Sequence, residues 1–165
     1  MIVIRPLQPD DSFEDLTRLL HDAYRPLAER GMRYVASFQD VNTTRYRCEQ
    51  GTCLVAVEGD RLVGTLTLNS VDNTTGCDWY EQPGVAACHQ FAVHPDFQGS
   101  GVGRMLMDAI GDVAREQGIS EIGVDTSEHA TELIALYERN GFRHVGTADW
   151  PDTNYESVVM SRSLP

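Results

Sequence analysis

Lysine is absent from this sequence: all 13 of its Lys or Arg residues are arginine. A Walker A phosphate loop needs a lysine directly after its second glycine, so this class of nucleotide site is excluded. Basic residues are also outnumbered, because 25 acidic residues give the chain a formal net charge of −12. Nucleic-acid-binding proteins carry a basic stripe, and none is visible here. We therefore exclude nucleic acid as a partner.

Long hydrophobic stretches and closely spaced cysteines are also lacking. No run approaches the ~18 apolar residues of a membrane span, and the N-terminus has no signal-peptide pattern. We expect a cytoplasmic protein with no membrane partner. The four cysteines, Cys48, Cys53, Cys77 and Cys88, form no Cys-x-x-Cys pair. This spacing favours reduced, structural thiols over metal ligands or a disulfide framework.

The length and composition are those of one folded unit. The chain has 165 residues, of which 41% are hydrophobic, and this length corresponds to about one domain. We see no repeat, linker or low-complexity tract, so we predict a single domain over residues 1–165. The acidity is compatible with a cationic substrate, whose approach it would accelerate, or it only aids solubility.

Hydrophobic periodicity and turn residues predict an alternation of strands and helices. Strands are predicted at residues 2–7, 52–57, 62–68, 85–93, 121–125, 142–147 and 155–160. Helices are predicted from the Ser12 cap to before Pro26, from Asn42 or Thr43 to Gln50, from the glycine-rich segment to Gly118, and from the Ser127 cap to Asn140-Gly141. The Gly-Asp turn at 59–60 indicates an antiparallel hairpin, and residues 69–84 are predicted to be a polar loop.

The most informative segment is a strand followed by a glycine-rich loop and a helix. Phe91-Ala92-Val93 is apolar, and Pro95 prevents the strand from continuing. Glycines follow at alternate positions, in the sequence Gln98-Gly99-Ser100-Gly101-Val102-Gly103. Glycine allows close backbone approach, and the start of a helix leaves N–H groups unpaired beside a partial positive charge. Such a segment is suited to binding phosphate or pyrophosphate.

The spacing of the glycines decides among the known phosphate loops. A dinucleotide fingerprint needs Gly-x-Gly-x-x-Gly, but its third glycine would fall on Arg104 or Leu106. The segment fits instead Gln/Arg-x-x-Gly-x-Gly/Ala after a strand that ends Val-x-Pro. This pattern resembles the coenzyme A pyrophosphate loop of the GNAT superfamily of acyl-CoA-dependent N-acyltransferases.

A second motif extends the resemblance. Leu136-Tyr137-Glu138-Arg139-Asn140-Gly141-Phe142 is similar to the GNAT pattern Leu-Tyr-x-x-x-Gly-Phe, and it lies one helix and one strand after the glycine loop. With the hairpin before them, the two motifs cover most of residues 52–147. Taken alone, Tyr137 is equally compatible with an ordinary core tyrosine that packs a helix against the sheet.

The resemblance implies a fold, a reaction and a set of site residues. It implies an α/β GNAT fold, with a mixed, mostly antiparallel sheet of six to seven strands and about four helices. The reaction it implies is direct transfer of an acetyl group from acetyl-CoA to a primary amine of a small molecule or peptide. The coenzyme A contacts carried over are Phe91, Ala92, Val93, Gln98, Gly99, Ser100, Gly101, Val102, Gly103, Arg104 and Thr126.

The resemblance also implies catalytic roles. Strands 85–93 and 120–124 are expected to splay apart around the pantetheine arm. A backbone N–H near Ala92 or Val93 would stabilise the oxyanion. Tyr137 would protonate the leaving thiolate as general acid. Other members place a base on the strand before the glycine loop, where this chain has only His89; a water chain, Asp78 or Glu81 remain alternatives.

Two further points depart from the family pattern or remain open. Other family members often carry an asparagine that reaches the pantetheine, and this chain has Ala130 at that position. We therefore expect Thr126 or Thr131 to make this contact instead. His89 and His94 alternate to opposite faces of a strand, so we predict no shared metal ion.

The acceptor is the least readable feature of the sequence. Tyr24, Tyr34, Trp79 and Tyr80 are candidates for an acceptor pocket, with Asp72, Asp78 or Glu81 holding a cation. Whether the chain forms a homodimer is left open. The alternative function is a non-catalytic acyl-CoA-binding or regulatory domain of the same fold.

Overall fold

The computed structural model describes residues 1–165, which form a seven-stranded sheet flanked by four α-helices. The strands are β1 Ile2–Pro6, β2 Gly51–Glu58, β3 Arg61–Asn69, β4 Val85–Val93, β5 Glu121–Ser127, β6 Arg143–Ala148 and β7 Ser157–Ser163. The helices are α1 Phe13–Glu29, α2 Val41–Cys48, α3 Val102–Glu116 and α4 Thr131–Arg139. No helix is long and apolar enough to cross a membrane.

The strand order is β1-β2-β3-β4-β5-β7-β6, and only the β4–β5 pair is parallel. The prediction of a mixed, mostly antiparallel sheet is therefore confirmed, as is the hairpin that β2 and β3 form.

Helices cover both faces of the sheet, and β2 shows why. Leu54 and Ala56 face the main core, which α3 and the Tyr137 end of α4 complete, whereas Cys53 and Val55 face a second cluster against α1. Since successive strand residues point to opposite faces, a continuous apolar run implies burial on both sides. The helix α3 presents Leu106 to the main core because its apolar residues recur at helical spacing.

The β4 and β5 strands pair only at their beginnings, and this opens the sheet. Val85, Ala86 and Ala87 pair with Glu121, Ile122 and Gly123, after which the two strands separate. A bulge lies further along β4, where the partners of Thr65 and Thr67 on β3 are Ala92 and His89. Gln90 occupies this bulge with a φ of 54°, an uncommon value for a residue other than glycine. The predicted splay of the two strands is confirmed.

The end of α1 differs from the prediction. The helix begins with Ser12, whose side chain accepts the Asp15 N–H as expected, but it continues through Pro26 to Glu29. Proline removes one helical hydrogen bond and usually ends a helix. Here Leu27, directly after it, is buried against Met32 and Tyr34, and this packing stabilises the last turn.

Two helix starts were also predicted wrongly. The cap of α2 is Asp40, whose carboxylate accepts the Thr43 N–H, rather than Asn42 or Thr43, and the helix ends at Cys48. Ser127 belongs to the end of β5, and α4 is capped by Ala130. The Ser127 hydroxyl instead accepts the His129 N–H in the turn between them. Asp and Ser both favour caps and turns, so the sequence does not distinguish these roles.

Candidate active site

Two cavities lie beside the separated ends of β4 and β5. One, of about 560 Å³, is lined by the glycine loop, the end of β4 and one face of α4, and we term it the loop cavity. The other, of about 470 Å³, is lined by five tyrosines and we term it the tyrosine cavity. Those tyrosines are Tyr24, Tyr34, Tyr46, Tyr137 and Tyr155. Tyr24 and Phe91 line both cavities, so the two meet at these residues.

The glycine loop points unpaired N–H groups at an open site. The backbone N–H groups of Gly99, Gly101, Val102, Gly103 and Arg104 donate to no other group of the protein. Gly99 and Gly101 have φ values of 79° and 92°, which favour glycine. These donors are clustered at the N-terminus of a 15-residue helix, where the helix dipole also favours an anion. The donor set fits a pyrophosphate.

The third glycine has a packing role. A Cβ on Gly103 would lie 3.1 Å from the Phe91 ring, so glycine lets α3 approach β4 closely. Val102, which was predicted to contact coenzyme A, is buried in the core and does not line the loop cavity. The Ser100 hydroxyl donates to the Phe97 carbonyl, so it closes the turn rather than lining the cavity.

The polar side chains of the loop have different roles. Gln98 Nε2 donates to the Val93 carbonyl at 3.1 Å and ties the loop to the end of β4. Arg104 is 79% exposed, and its nearest carboxylate, Asp108, is 4.0 Å away. An exposed pair at this distance contributes little, so Arg104 is free to approach an anion in the loop cavity.

The end of β4 forms the floor of the loop cavity. Phe91, Ala92 and Val93 all line it. The Tyr24 hydroxyl donates to the Phe91 carbonyl at 2.7 Å and so holds this strand against α1 at the junction of the two cavities.

Tyr137 lines the tyrosine cavity with an unengaged hydroxyl. Its ring packs against Phe91 and Phe142, with centroids 6.2 and 5.6 Å away. Burial raises the pKa of Tyr137 well above its usual value. The hydroxyl is therefore protonated at neutral pH and can act as a proton donor.

His89 lies in the same cavity and is the second predicted catalytic residue. Its ring meets the edge of Tyr80 at a centroid distance of 6.4 Å. Burial lowers the pKa of His89, an effect that Arg47 reinforces and Asp125 opposes. A neutral imidazole can accept a proton. His94 is elsewhere: its Nδ1 accepts the Asp96 N–H, and its ring contacts Arg61.

Asp125 is a site residue that the sequence analysis missed. Its carboxylate accepts the Tyr80 hydroxyl at 2.7 Å and the Trp150 indole N–H at 2.9 Å, and it lines the tyrosine cavity. The residues proposed as cation ligands, Asp72, Asp78 and Glu81, do not line this cavity, and neither do Trp79 and Tyr80, which were predicted to line the acceptor pocket. They belong to the 69–84 loop, whereas the carboxylate comes from β5. A polar residue near the carboxyl end of a strand was the available signal.

Thr126, which was predicted to contact coenzyme A, does not lie beside the glycine loop. Its hydroxyl shares a 2.7 Å hydrogen bond with Tyr34, whose oxygen also accepts the Ser127 N–H at 3.2 Å. Thr126 lines the tyrosine cavity rather than the loop cavity. Its role towards coenzyme A stays a prediction.

Cys88 is the only cysteine that lines either cavity. Burial raises the pKa of its thiol to about 12. Since the thiolate is the nucleophilic form, this thiol is unsuited to accept an acyl group at neutral pH.

Comparisons with known proteins agree with this geometry. Residues 13–142 match the model of the Acetyltransferase (GNAT) family. S-(2-succino)cysteine N-acetyltransferase of Bacillus subtilis (strain 168) is 28% identical over 156 residues, 92% of this chain and 90% of that protein.

Solved structures share the fold along the whole chain. PH1933 from Pyrococcus horikoshii OT3 superimposes with a TM-score of 0.77 at 24% identity, covering 100% of this chain and 99% of that one. The PaiA N-acetyltransferase from Thermoplasma acidophilum, solved in complex with coenzyme A, has a TM-score of 0.70 at 15% identity and covers 99% of each chain.

Proposed function

Because the chain belongs to the GNAT family of acetyltransferases, we propose that it transfers the acetyl group of acetyl-CoA directly to a primary amine. The acceptor is a small molecule or a peptide. The observation that carries this proposal is the junction of the two cavities at Tyr24 and Phe91. A thioester held at the end of β4 would lie beside an amine bound in the tyrosine cavity.

The loop cavity is the proposed site of acetyl-CoA. The free N–H groups from Gly99 to Arg104 would bind the pyrophosphate. Phe91, Ala92 and Val93 would border the pantetheine arm, and a backbone N–H of Ala92 or Val93 would polarise the thioester carbonyl. The coenzyme A complex of the PaiA N-acetyltransferase, which has the same fold, supports this assignment.

The tyrosine cavity is the proposed site of proton transfer. The acceptor nitrogen attacks the carbonyl carbon, forms the C–N bond and gives up a proton to His89, which burial keeps neutral. The C–S bond breaks, and Tyr137 donates its proton to the departing thiolate. The raised pKa of Tyr137 keeps that proton in place until the thiolate forms.

Direct transfer is favoured over an acyl-enzyme intermediate. The thiol of Cys88 has a pKa raised to about 12 and is therefore protonated at neutral pH. Without a thiolate in either cavity, a covalent route through cysteine has no suitable nucleophile. We therefore propose that the acceptor amine itself attacks the thioester.

A small amine is the better supported acceptor. The tyrosine cavity has a volume of about 470 Å³, within the usual range for small-molecule sites. The Bacillus subtilis relative is named for an amine of amino-acid size.

The proposal is tested by thiol release from acetyl-CoA across a panel of primary amines and peptides, with the acetylated product identified by mass spectrometry. We expect at least one amine to be acetylated by the wild type and not by Gly101→Asp, which should no longer hold the cofactor. Binding of acetyl-CoA with no turnover of any amine would contradict the proposal and favour a non-catalytic acyl-CoA-binding domain.

A further inference from the structure

Arg47, on α2, is a charged residue of the tyrosine cavity without a carboxylate partner. Its Nη1 donates to Gln39 Oε1 at 2.7 Å, and this is the only hydrogen bond of its side chain. Arg47 takes part in none of the ten salt bridges of the chain. A guanidinium has five N–H donors, so most of those on Arg47 are unused.

The surroundings of Arg47 make these unused donors significant. Burial lowers the pKa of Arg47, and the charge of Asp125 opposes that shift. Arginine nevertheless stays protonated at neutral pH. Arg45, on the same helix, is exposed and lies over the Phe13 ring outside the cavity. A shielded guanidinium with few partners is costly in free energy unless an anion binds it.

A second, opposite charge lies in the same cavity. Asp125 is held by Tyr80 and Trp150, not by Arg47. The cavity is thus lined by one arginine, Arg47, and two aspartates, Asp125 and Asp152, and no salt bridge joins Arg47 to either of them. A ligand that carries both an ammonium and a carboxylate would complement both groups.

We propose that Arg47 binds a carboxylate of the acceptor, so that the acceptor class is an amine that also carries a carboxylate, as amino acids and their derivatives do. The inference rests on the proposed function and makes it more specific. Guanidinium and carboxylate form paired, charge-assisted hydrogen bonds. A phosphate is disfavoured because a single arginine faces it and Asp125 would repel its second charge.

The two charges also orient the acceptor. A carboxylate on Arg47 and an amino nitrogen near Asp125 fix two points of the molecule. When the nitrogen arrives as an ammonium, it loses one proton to solvent before it attacks as the neutral amine. The amine is then held in the cavity that contains His89 and Tyr137. Arg47 is a specificity-determining residue in this scheme and takes no part in proton transfer.

The test compares amino acids with the amines that result from their decarboxylation. The pairs are L-phenylalanine and 2-phenylethylamine, L-methionine and 3-(methylsulfanyl)propylamine, and L-leucine and 3-methylbutylamine. Each kcat/KM is corrected for the neutral fraction of the amine. We expect the wild type to favour the carboxylated member of a pair by about 10- to 100-fold, the range for a hydrogen-bonded charge.

Variants of the two arginines on α2 show which of them is responsible for the preference for the carboxylated amine. Arg47→Gln should abolish the preference by raising the KM of the amino acid, and Arg47→Lys should restore part of it because the charge returns without the paired donors. Arg45→Gln should keep the full preference. A wild type that favours the decarboxylated amines, or a preference that survives Arg47→Gln, would overturn the inference while leaving the proposed function intact.

A binding measurement separates the two proposals if no amine of these pairs is acetylated. N-acetyl-L-phenylalanine and N-(2-phenylethyl)acetamide, which differ by one carboxylate, are titrated into wild type and Arg47→Gln in the presence of coenzyme A. Tighter binding of the acid to the wild type alone supports the inference. The inference would be overturned if N-acetyl-L-phenylalanine bound equally tightly to the wild type and to Arg47→Gln. It would also be overturned if inorganic phosphate bound to the wild type more tightly than this acid does.

Discussion

The two cavities of this protein are built by different means. The groups that we propose to bind an anion in the loop cavity come from the main chain of one continuous segment, Gly99 to Arg104. The tyrosine cavity is lined by side chains from α1, α2, β4, β5, α4 and the loops near Tyr34 and Trp150. In the proposed function, the loop cavity would bind acetyl-CoA and the tyrosine cavity would bind the acceptor.

This difference has a physical basis. Main-chain N–H groups at a helix start bind phosphate whatever the side chains are, provided that glycine permits the backbone conformation. An acceptor pocket must complement one ligand, so its specificity comes from a few placed polar groups. In this chain we propose Arg47 and Asp125, which both line the tyrosine cavity, for this role.

The largest effect is expected from Gly101→Asp. A Cβ at position 101 would meet no neighbour within 4 Å, but the φ of 92° strains any residue other than glycine. The added carboxylate would lie beside the proposed pyrophosphate site. Like charges placed together cost several kcal/mol, so we expect acetyl-CoA affinity to fall by about 1000-fold. Isothermal titration measures it.

Gly31→Asp is the matched control for Gly101→Asp. Gly31 has a φ of 87°, and a Cβ there also meets no neighbour within 4 Å, but it does not line the loop cavity. The unfolding temperature of Gly31→Asp should fall by about as much as that of Gly101→Asp, but its affinity for acetyl-CoA should equal that of the wild type. Equal affinity in both variants would show that the loop does not bind the pyrophosphate.

Tyr137→Phe is expected to have the next largest effect. Loss of a general acid lowers rates by about 100-fold or more, so kcat should fall by this amount with little change in the KM of acetyl-CoA. Steady-state kinetics with both substrates provide the readout. An increased KM with an unchanged kcat would make Tyr137 a binding residue.

Asp125→Asn should affect only the acceptor side. The amide has the shape of the carboxylate but not its charge, so we expect the acceptor KM to rise by about 10-fold, the effect of a charged hydrogen bond. Acetyl-CoA affinity should not change. Tyr80→Phe, which removes one donor that holds Asp125, should raise the acceptor KM less, and a larger effect than that of Asp125→Asn would show that Tyr80 acts on its own.

The smallest effect is a pH dependence of stability due to His89. Burial lowers the pKa of His89 in the folded state, with Arg47 reinforcing and Asp125 opposing the shift. Below about pH 6.5 the unfolded chain then binds more protons, so stability falls as the pH falls through this range. His89 is partly open to the cavity, which moderates the loss.

His89→Gln isolates this contribution because the glutamine amide does not titrate. Thermal unfolding between pH 5 and 7, measured for both proteins, should show a shallower pH dependence in the variant. Identical slopes would mean that His89 is not held neutral by the fold, and that its role as base needs another explanation.

The sequence alone predicts the features that depend on one continuous segment, but not those that the fold assembles from distant residues. The strand at 85–93, the hairpin and the helix after the glycines were predicted because local periodicity and turn residues determine them. Asp125 and Arg47 were not identified as site residues, because they lie 78 positions apart and only the fold brings them to one cavity. The extension of α1 beyond Pro26 was missed for a similar reason, since it depends on the tertiary contacts of Leu27.

The central claim is that the two cavities work together, so that the acetyl group passes directly from the thioester to the amine. Initial rates with both substrates varied test it most directly. Direct transfer requires both substrates on the protein at once and predicts double-reciprocal lines that intersect. Parallel lines, the pattern of a covalent acetyl-enzyme, would contradict the account.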